Sequence, residues 1–258
     1  MKKIQLIAMA TLALTSLGAC KEKQKSTDNS AAEAEAQAEV VETQPTTQEG
    51  EWEVLFDGSS LDGWRGYLGE TMPAAWKLED GAMVFYPEAR KEGENSNIVS
   101  KGTYTNFVLS LEWKISEAGN SGIFWGVKED PKYGQPYATG PEIQVLDNDK
   151  HPDANRGGKT HQAGALYDMI APSEDVTKPV GEWNHCVITI DHNKNMGKVV
   201  LNDVEIVNFP VHGEAWDAMV AKSKFADWDG FGDFPTGHIS LQDHGDIVAY
   251  RNIKIKKL

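Results

Sequence analysis

Hydrophobic and polar residues alternate most clearly over Phe107–Ile115 (FVLSLEWKI), which puts Phe107, Leu109, Leu111, Trp113 and Ile115 on one face. A period of two is the mark of a strand with one buried side. Shorter runs of the same kind follow at Ile123–Val127, Glu142–Leu146, Cys186–Asp191, Lys198–Leu201, Glu205–Phe209, His238–Gln242 and Ile253–Lys257. Clusters of Gly, Asn, Asp and Pro separate them, as expected for turns between short strands. A helical pattern is confined to Ala215–Lys222. No alternation of strands with helices and no glycine-rich nucleotide loop is present, so the pattern predicts an all-β antiparallel sandwich or jelly roll.

The first fifty residues read differently. Lys2 and Lys3 precede an apolar run, Ile4–Leu14, that is too short to span a bilayer as a helix. Leu17-Gly18-Ala19-Cys20 then has the form of a bacterial lipoprotein box, in which small residues fit the peptidase and the cysteine thiol takes the lipid. Residues 1–19 are therefore expected to be a signal peptide and Cys20 the lipidation site. Residues 20–50, rich in Ala, Glu, Gln, Ser and Thr and without an aromatic residue, form a segment expected to stay disordered as a tether. Such a composition buries too little apolar surface to offset its ordering entropy. Aromatics begin at Trp52, and the folded domain is placed at residues 51–258. Lys21 directly after the lipidated cysteine points to the outer membrane, with contact to the bilayer through the lipid anchor only.

Charge narrows the ligand. The net charge is −14, and losing residues 1–19 removes two lysines and no acid, taking it to −16. A nucleic-acid partner is excluded on that ground, since no basic patch offsets phosphate charge, whereas a neutral sugar fits. The two cysteines are Cys20 and Cys186, so a lipidated Cys20 leaves Cys186 without an intrachain partner. Cys186 is expected to act as a small buried hydrophobe.

Candidate chemistry concentrates on Glu142–Asp147. On a strand Glu142, Gln144 and Leu146 project to the same side, while Ile143 and Val145 face the other. Asp147 is out of phase and joins them only through a bulge or strand end. Two carboxylates flanking a bond are the basis of glycoside hydrolysis, with Gln144 standing where laminarinase-type sandwiches carry a middle acid. His151 follows in the turn Asp147–Asp153 as a candidate base. The acids of that turn also leave open a divalent metal, although its spacing is not that of an EF-hand. Trp125, just after the turn at Gly119-Asn120-Ser121-Gly122, is either core or a sugar platform. Gln242-Asp243-His244-Gly245-Asp246 suits the rim of a site, and Arg251 lies just beyond it.

Taken in order, these segments resemble the 3-keto-disaccharide hydrolase domain family. The resemblance runs through Leu55-Phe56-Asp57-Gly58, Leu61-Asp62-Gly63-Trp64, Asn120–Ile123, Gly140–Asp147, Gly164–Asp168, Gly181–Asn184, Gly237–Gly245 and Arg251-Asn252-Ile253, and so covers the whole domain after the tether. It implies a concanavalin-like jelly roll of two antiparallel sheets and action on glycosides oxidised at C3. It also implies that Glu142, Gln144, Asp147, His151, Tyr167, Gln242, Asp243, His244 and Arg251 cluster around the site. Asn120 and Trp125, from the turn and strand at 119–126, are expected as further substrate contacts. One departure stands out: relatives often carry His-Trp before a Leu-Asn-Gly turn, where this chain has Val199-Val200-Leu201-Asn202-Asp203.

A ketone at C3 acidifies the C2 proton and makes the C1 substituent a β leaving group. Cleavage by elimination and hydration then needs a base, expected in His151 or His244, and an acid at the leaving oxygen. Glu142 and Asp147 are expected to orient groups, act as acid or hold a metal, and Tyr167, Gln144 and Arg251 to bind hydroxyls or the developing oxyanion. Three other readings stay open. A conventional two-carboxylate glycosidase would use Glu142 and Asp147 on unoxidised sugars. A noncatalytic carbohydrate-binding module would use the same fold. An envelope scaffold would be expected to show an apolar interface rather than this polar cluster.

Overall fold

The computed structural model describes residues 50–258; Cys20, the leader and nearly all of the expected tether lie outside them. Thirteen strands form two antiparallel sheets. They are β1 (Trp52–Phe56), β2 (Trp64–Gly66), β3 (Trp76–Glu79), β4 (Ala82–Phe85), β5 (Ile98–Ser100), β6 (Phe107–Ile115) and β7 (Asn120–Val127). After these come β8 (Glu142–Leu146), β9 (Asn184–Asp191), β10 (Met196–Leu201), β11 (Val204–Phe209), β12 (His238–Leu241) and β13 (Val248–Lys257), with one helix, α1 (Gly213–Val220), after β11. The larger sheet has eight strands in the order β11-β10-β9-β6-β13-β4-β3, with β1 also on β13; the smaller has five, β2-β5-β12-β7-β8.

The alternation seen in the sequence decides which sides meet. Phe107, Leu109, Leu111, Trp113 and Ile115 of β6 are all buried, as are Cys186, Ile188 and Ile190 of β9 and Tyr250, Ile253 and Ile255 of β13. They pack in one cluster with Ile98, Ile123, Trp125, Ile143, Val145, Ile239 and Leu241 from the smaller sheet. Burial pushes the Cys186 thiol up to about 12, which leaves it a protonated, apolar filler.

Several elements differ from their predicted bounds for local reasons. β13 begins five residues before Ile253, because a bulge between Arg251 and Lys254, with Asn252 at a φ of 52°, lets the strand continue across an interruption in its alternation. The strands β1 to β5 are short, three to five residues each, and carry too few residues to show a period. The Leu201–Val204 turn places Asn202 and Asp203 at φ of 48° and 69°, the left-handed pair that a tight hairpin requires.

β8 is an edge strand of the smaller sheet. Its outer side is covered by the Gly164–Tyr167 loop: the Gln144 and Tyr167 amides donate to Ala165 and Glu142 carbonyls, and the Gly164 amide donates to the Gln144 carbonyl. This cover blocks edge-to-edge association and also sets Tyr167 beside Glu142.

Candidate active site

The inner face of the smaller sheet is apolar, so alternation turns its polar residues outward. Part of the outer face carries a small apolar cluster, Tyr67, Val99, Phe124 and Val127. Toward β8 it becomes polar. There Asn97, Asn120, Glu142, Gln144 and Gln242 line a cleft of about 480 Å³, walled by Arg90, Tyr137, Tyr167, Lys224, Trp228, Asp243 and His244.

Glu142 occupies the cleft under unusual conditions. Its carboxyl lies across Gly122 of the neighbouring strand, where any Cβ would overlap it. Glycine is therefore required at 122 for the carboxyl to take this position. Burial pushes the carboxyl from 4.5 up to about 8; the Lys224 ammonium opposes the rise and the Asp153 carboxylate adds to it. A charge is costly here because desolvation outweighs a single attractive partner. Beside it, Asn120 Oδ1 and Gln242 Oε1 are buried carbonyl oxygens with no hydrogen-bond partner. Orphaned acceptors of this kind in a cleft mark places where a ligand's hydroxyls donate.

Tyr167 is held by a polar group behind it. Its hydroxyl donates to Asp153 Oδ2 at 3.0 Å, and its ring stacks on His161 with centroids 4.3 Å apart. His161 in turn places Nε2 2.8 Å from Asp168 Oδ1 and Nδ1 3.3 Å from Asp153 Oδ2. Burial opposes ionisation of Asp153, but the Tyr167 hydroxyl, His161 and Arg156 outweigh it and hold the carboxyl below its usual range. Burial and the bond to Asp153 raise the Tyr167 phenol well above its usual range, so it stays protonated. Lys224 Nζ lies 4.2 Å from the centre of the Tyr167 ring, and the Lys224 amide donates to Asp168 Oδ2 at 2.6 Å.

His244 also lines the cleft, and burial lowers its imidazole below its usual 6.5; Asp246 and Asp153 pull the other way and His151 adds to the fall. His244 is therefore neutral near pH 7. The rings of His151 and His244 meet edge to face, 6.3 Å apart. His151 Nδ1 accepts the Asp153 amide at 3.1 Å, capping the turn Pro152–Asn155, so His151 backs the wall rather than lining it. Asp243 holds Arg90 at the mouth, Nη1 being 3.1 Å from both carboxylate oxygens.

The cleft thus gathers Asn120, Glu142, Gln144, Tyr167, Gln242, Asp243 and His244. Besides His151, which backs the wall, three expected members stand elsewhere. Asp147 follows the end of β8, where its carboxylate accepts the amides of Ala118 at 2.7 Å, Asp149 at 3.0 Å and Lys150 at 3.3 Å; it ties down turns. Trp125 points inward, 5 % exposed, against Phe209 at 5.7 Å between ring centres, because it shares the inner face with Ile123. Arg251, at the β13 bulge, donates to Glu112 Oε2 at 2.9 and 2.6 Å and stacks on Trp183, away from the cleft. Conversely Arg90, Asp153, His161 and Lys224 were not expected. Asp153 and His161 lie in the long polar loop after β8, and Lys224 follows α1, positions where no periodic signal exists. Among the described residues no group of three or more His, Cys, Asp or Glu side chains is arranged to hold a metal ion.

Residues 51–256 match the family model of the 3-keto-alpha-glucoside-1,2-lyase-like domain. The chain belongs to this family. A protein of Bacteroides thetaiotaomicron named 3-keto-disaccharide hydrolase is 36 % identical over 228 residues, 79 % of this chain and 77 % of that one. A solved structure from Parabacteroides distasonis, provisionally assigned as a glycosyl hydrolase, is 32 % identical with a TM-score of 0.73, covering 80 % of this chain and 94 % of the other. A galectin-like protein of Bacillus subtilis, 12 % identical with a TM-score of 0.50 over 81 % of this chain and 97 % of the other, shares the fold alone. Within the family frame the Val199-Val200 departure falls outside the cleft: Val199 is fully buried in the core and neither valine lines the site.

Proposed function

We propose that this domain cleaves the glycosidic bond of glycosides carrying a ketone at C3, in the cleft of the smaller sheet. The observation that carries the reading is Glu142, a carboxyl buried in a polar, sugar-sized cleft, pushed up to about 8 and so protonated at neutral pH, in the same cleft as a neutral His244. An acid and a base kept apart in this way by their surroundings are what elimination needs. The family description and the name of the Bacteroides relative support the keto-sugar as substrate.

In the proposed sequence Asn120 and Gln242 accept sugar hydroxyls and fix the ring. Neutral His244 takes the C2 proton, and the C–H electron pair moves toward the C3 oxygen as an enolate. The Lys224 ammonium stabilises that charge. Collapse of the enolate forms the C1–C2 double bond and breaks the bond from C1 to the leaving oxygen, which takes the Glu142 proton. Water then adds at C1, its proton returning to Glu142, while C2 recovers a proton from the His244 imidazolium after that group has exchanged with solvent. The net reaction is hydrolysis. Asp153 and His161 act through Tyr167, whose place beside Glu142 they set. A lipid anchor at Cys20 and an outer-membrane location form part of the same proposal and rest on the sequence.

Turnover of methyl 3-keto-glucoside in D₂O tests the mechanism. We expect deuterium at C2 of the 3-keto-glucose product, above the exchange seen without enzyme, and its loss together with turnover in His244→Ala. Turnover that retains protium at C2 contradicts elimination.

A further inference from the structure

Beside its polar floor the cleft has one aromatic wall. Among the exposed large hydrophobic residues of the described domain, Tyr137 and Trp228 are the two that line the cleft, each 37 % exposed. Tyr137 belongs to the turn Pro136–Ala138 before β8, and Trp228 to the segment after α1; their ring centres are 6.0 Å apart at 47°. The wall is rigidly backed. Trp228 meets Phe225 edge to face at 5.1 Å, Phe225 stacks on buried Phe231 at 3.9 Å, and the Gly232 amide donates to the Thr139 carbonyl at 2.8 Å, joining the two segments.

The amide oxygens at the rim next to Tyr137 already accept hydrogen bonds. Gln135 Oε1 accepts from Asn95 and Asn97, Asn95 Oδ1 accepts from the Asn97 amide and side chain, and Asn97 Oδ1 accepts the Asp243 amide. The acceptors without partners lie instead on the floor, at Asn120 and Gln242. A hydroxylated ring against the wall would find few free acceptors, whereas a flat apolar ring loses nothing there and gains stacking.

Resting on the proposed keto-glycoside cleavage, we infer that Tyr137 and Trp228 form a leaving-group subsite for a planar aromatic aglycone, so that aryl 3-keto-glucosides are the preferred substrate class. The keto-sugar lies on the amide floor under Glu142, and the ring on the leaving oxygen lies on the wall.

The test compares kcat/KM for phenyl and methyl 3-keto-glucoside in the wild type, Trp228→Ala, Trp228→Phe and Tyr137→Ala. The electronic advantage of phenol as leaving group is common to all four and cancels. The phenyl-to-methyl ratio is expected to fall about tenfold in Trp228→Ala and to recover in part in Trp228→Phe. An unchanged ratio overturns the inference. Calorimetric binding of unoxidised phenyl and methyl glucosides to the same proteins separates the subsite from the chemistry. Tighter binding of the phenyl compound that is lost in Trp228→Ala and Tyr137→Ala supports the subsite even where neither keto-glucoside is turned over, an outcome that would contradict keto-glycoside cleavage alone. Equal binding of both compounds to the wild type overturns the subsite.

Discussion

Replacing Glu142 with Gln keeps the shape of the side chain and removes its titration, so it isolates what the buried carboxyl does to stability. The carboxyl ionises at 4.5 when exposed and at about 8 in the fold. Below 4.5 both states are protonated and the group is neutral to stability. As pH rises from there the unfolded chain releases the proton while the folded one keeps it, so the folded state binds more protons and stability falls. The fall ends near pH 8, where the folded carboxyl ionises too. At about 1.36 kcal/mol per pH unit, the wild type should lose roughly 4 kcal/mol between about pH 5 and pH 9 that Glu142→Gln does not lose. At about 2–4 °C per kcal/mol for a domain of this size, the variant's advantage should grow by roughly 8–15 °C over that range. The assay is urea or thermal unfolding of both proteins across the range, read as a difference so that the other titrating groups cancel. A difference that stays flat with pH, or a Gln variant less stable at pH 9, would refute the burial argument.

The same two groups set the expected pH dependence of turnover. Activity requires neutral His244 and protonated Glu142, so kcat/KM should rise through a value below 6.5 and fall near 8, with the acidic limb missing from the residual activity of His244→Ala. Asp147→Ala removes an acceptor of three backbone amides and should cost about 1–3 kcal/mol of stability in urea unfolding, with kcat/KM of the folded protein within a few-fold of wild type. Arg251→Ala should lower stability by about 1 kcal/mol through loss of the Glu112 pair and the Trp183 contact, again without loss of turnover; a hundredfold loss would place Arg251 back at the site.

What was legible in the sequence is what period two encodes. β6 and β8 fall on their predicted bounds, with Ile143 and Val145 in the core and Glu142 and Gln144 in the cleft, while Leu146, expected on the Glu142 side, packs in the core at the strand end. The outward amides of the cleft follow from the same rule. Asp147 shows the limit of that rule. Being one residue out of phase, it needed an irregularity to turn toward the cleft, and the strand simply ends there with the carboxylate capping turns. Arg251 misled for the opposite reason: β13 already begins at Val248, so Arg251 pairs with Glu112 in the larger sheet rather than extending the rim loop, and the bulge that follows it hides this early start in the hydrophobic pattern. Lys224, Asp153 and His161 arrive from long loops whose course is set by tertiary hydrogen bonds, such as Lys224 to Asp168, rather than by local preference. Gly122 carried the one readable hint, since a glycine inside a strand marks a close approach, here by the Glu142 carboxyl.

The central claim is that the cleft acts on a ketone-bearing sugar with Glu142 as its acid. It is tested most directly by the turnover of methyl 3-keto-glucoside against unoxidised methyl glucoside, by wild type and Glu142→Gln, each with and without a chelator. The account predicts cleavage of the keto-sugar alone, reduced at least a hundredfold in Glu142→Gln. Cleavage of the unoxidised sugar, or full activity without the Glu142 carboxyl, would contradict it.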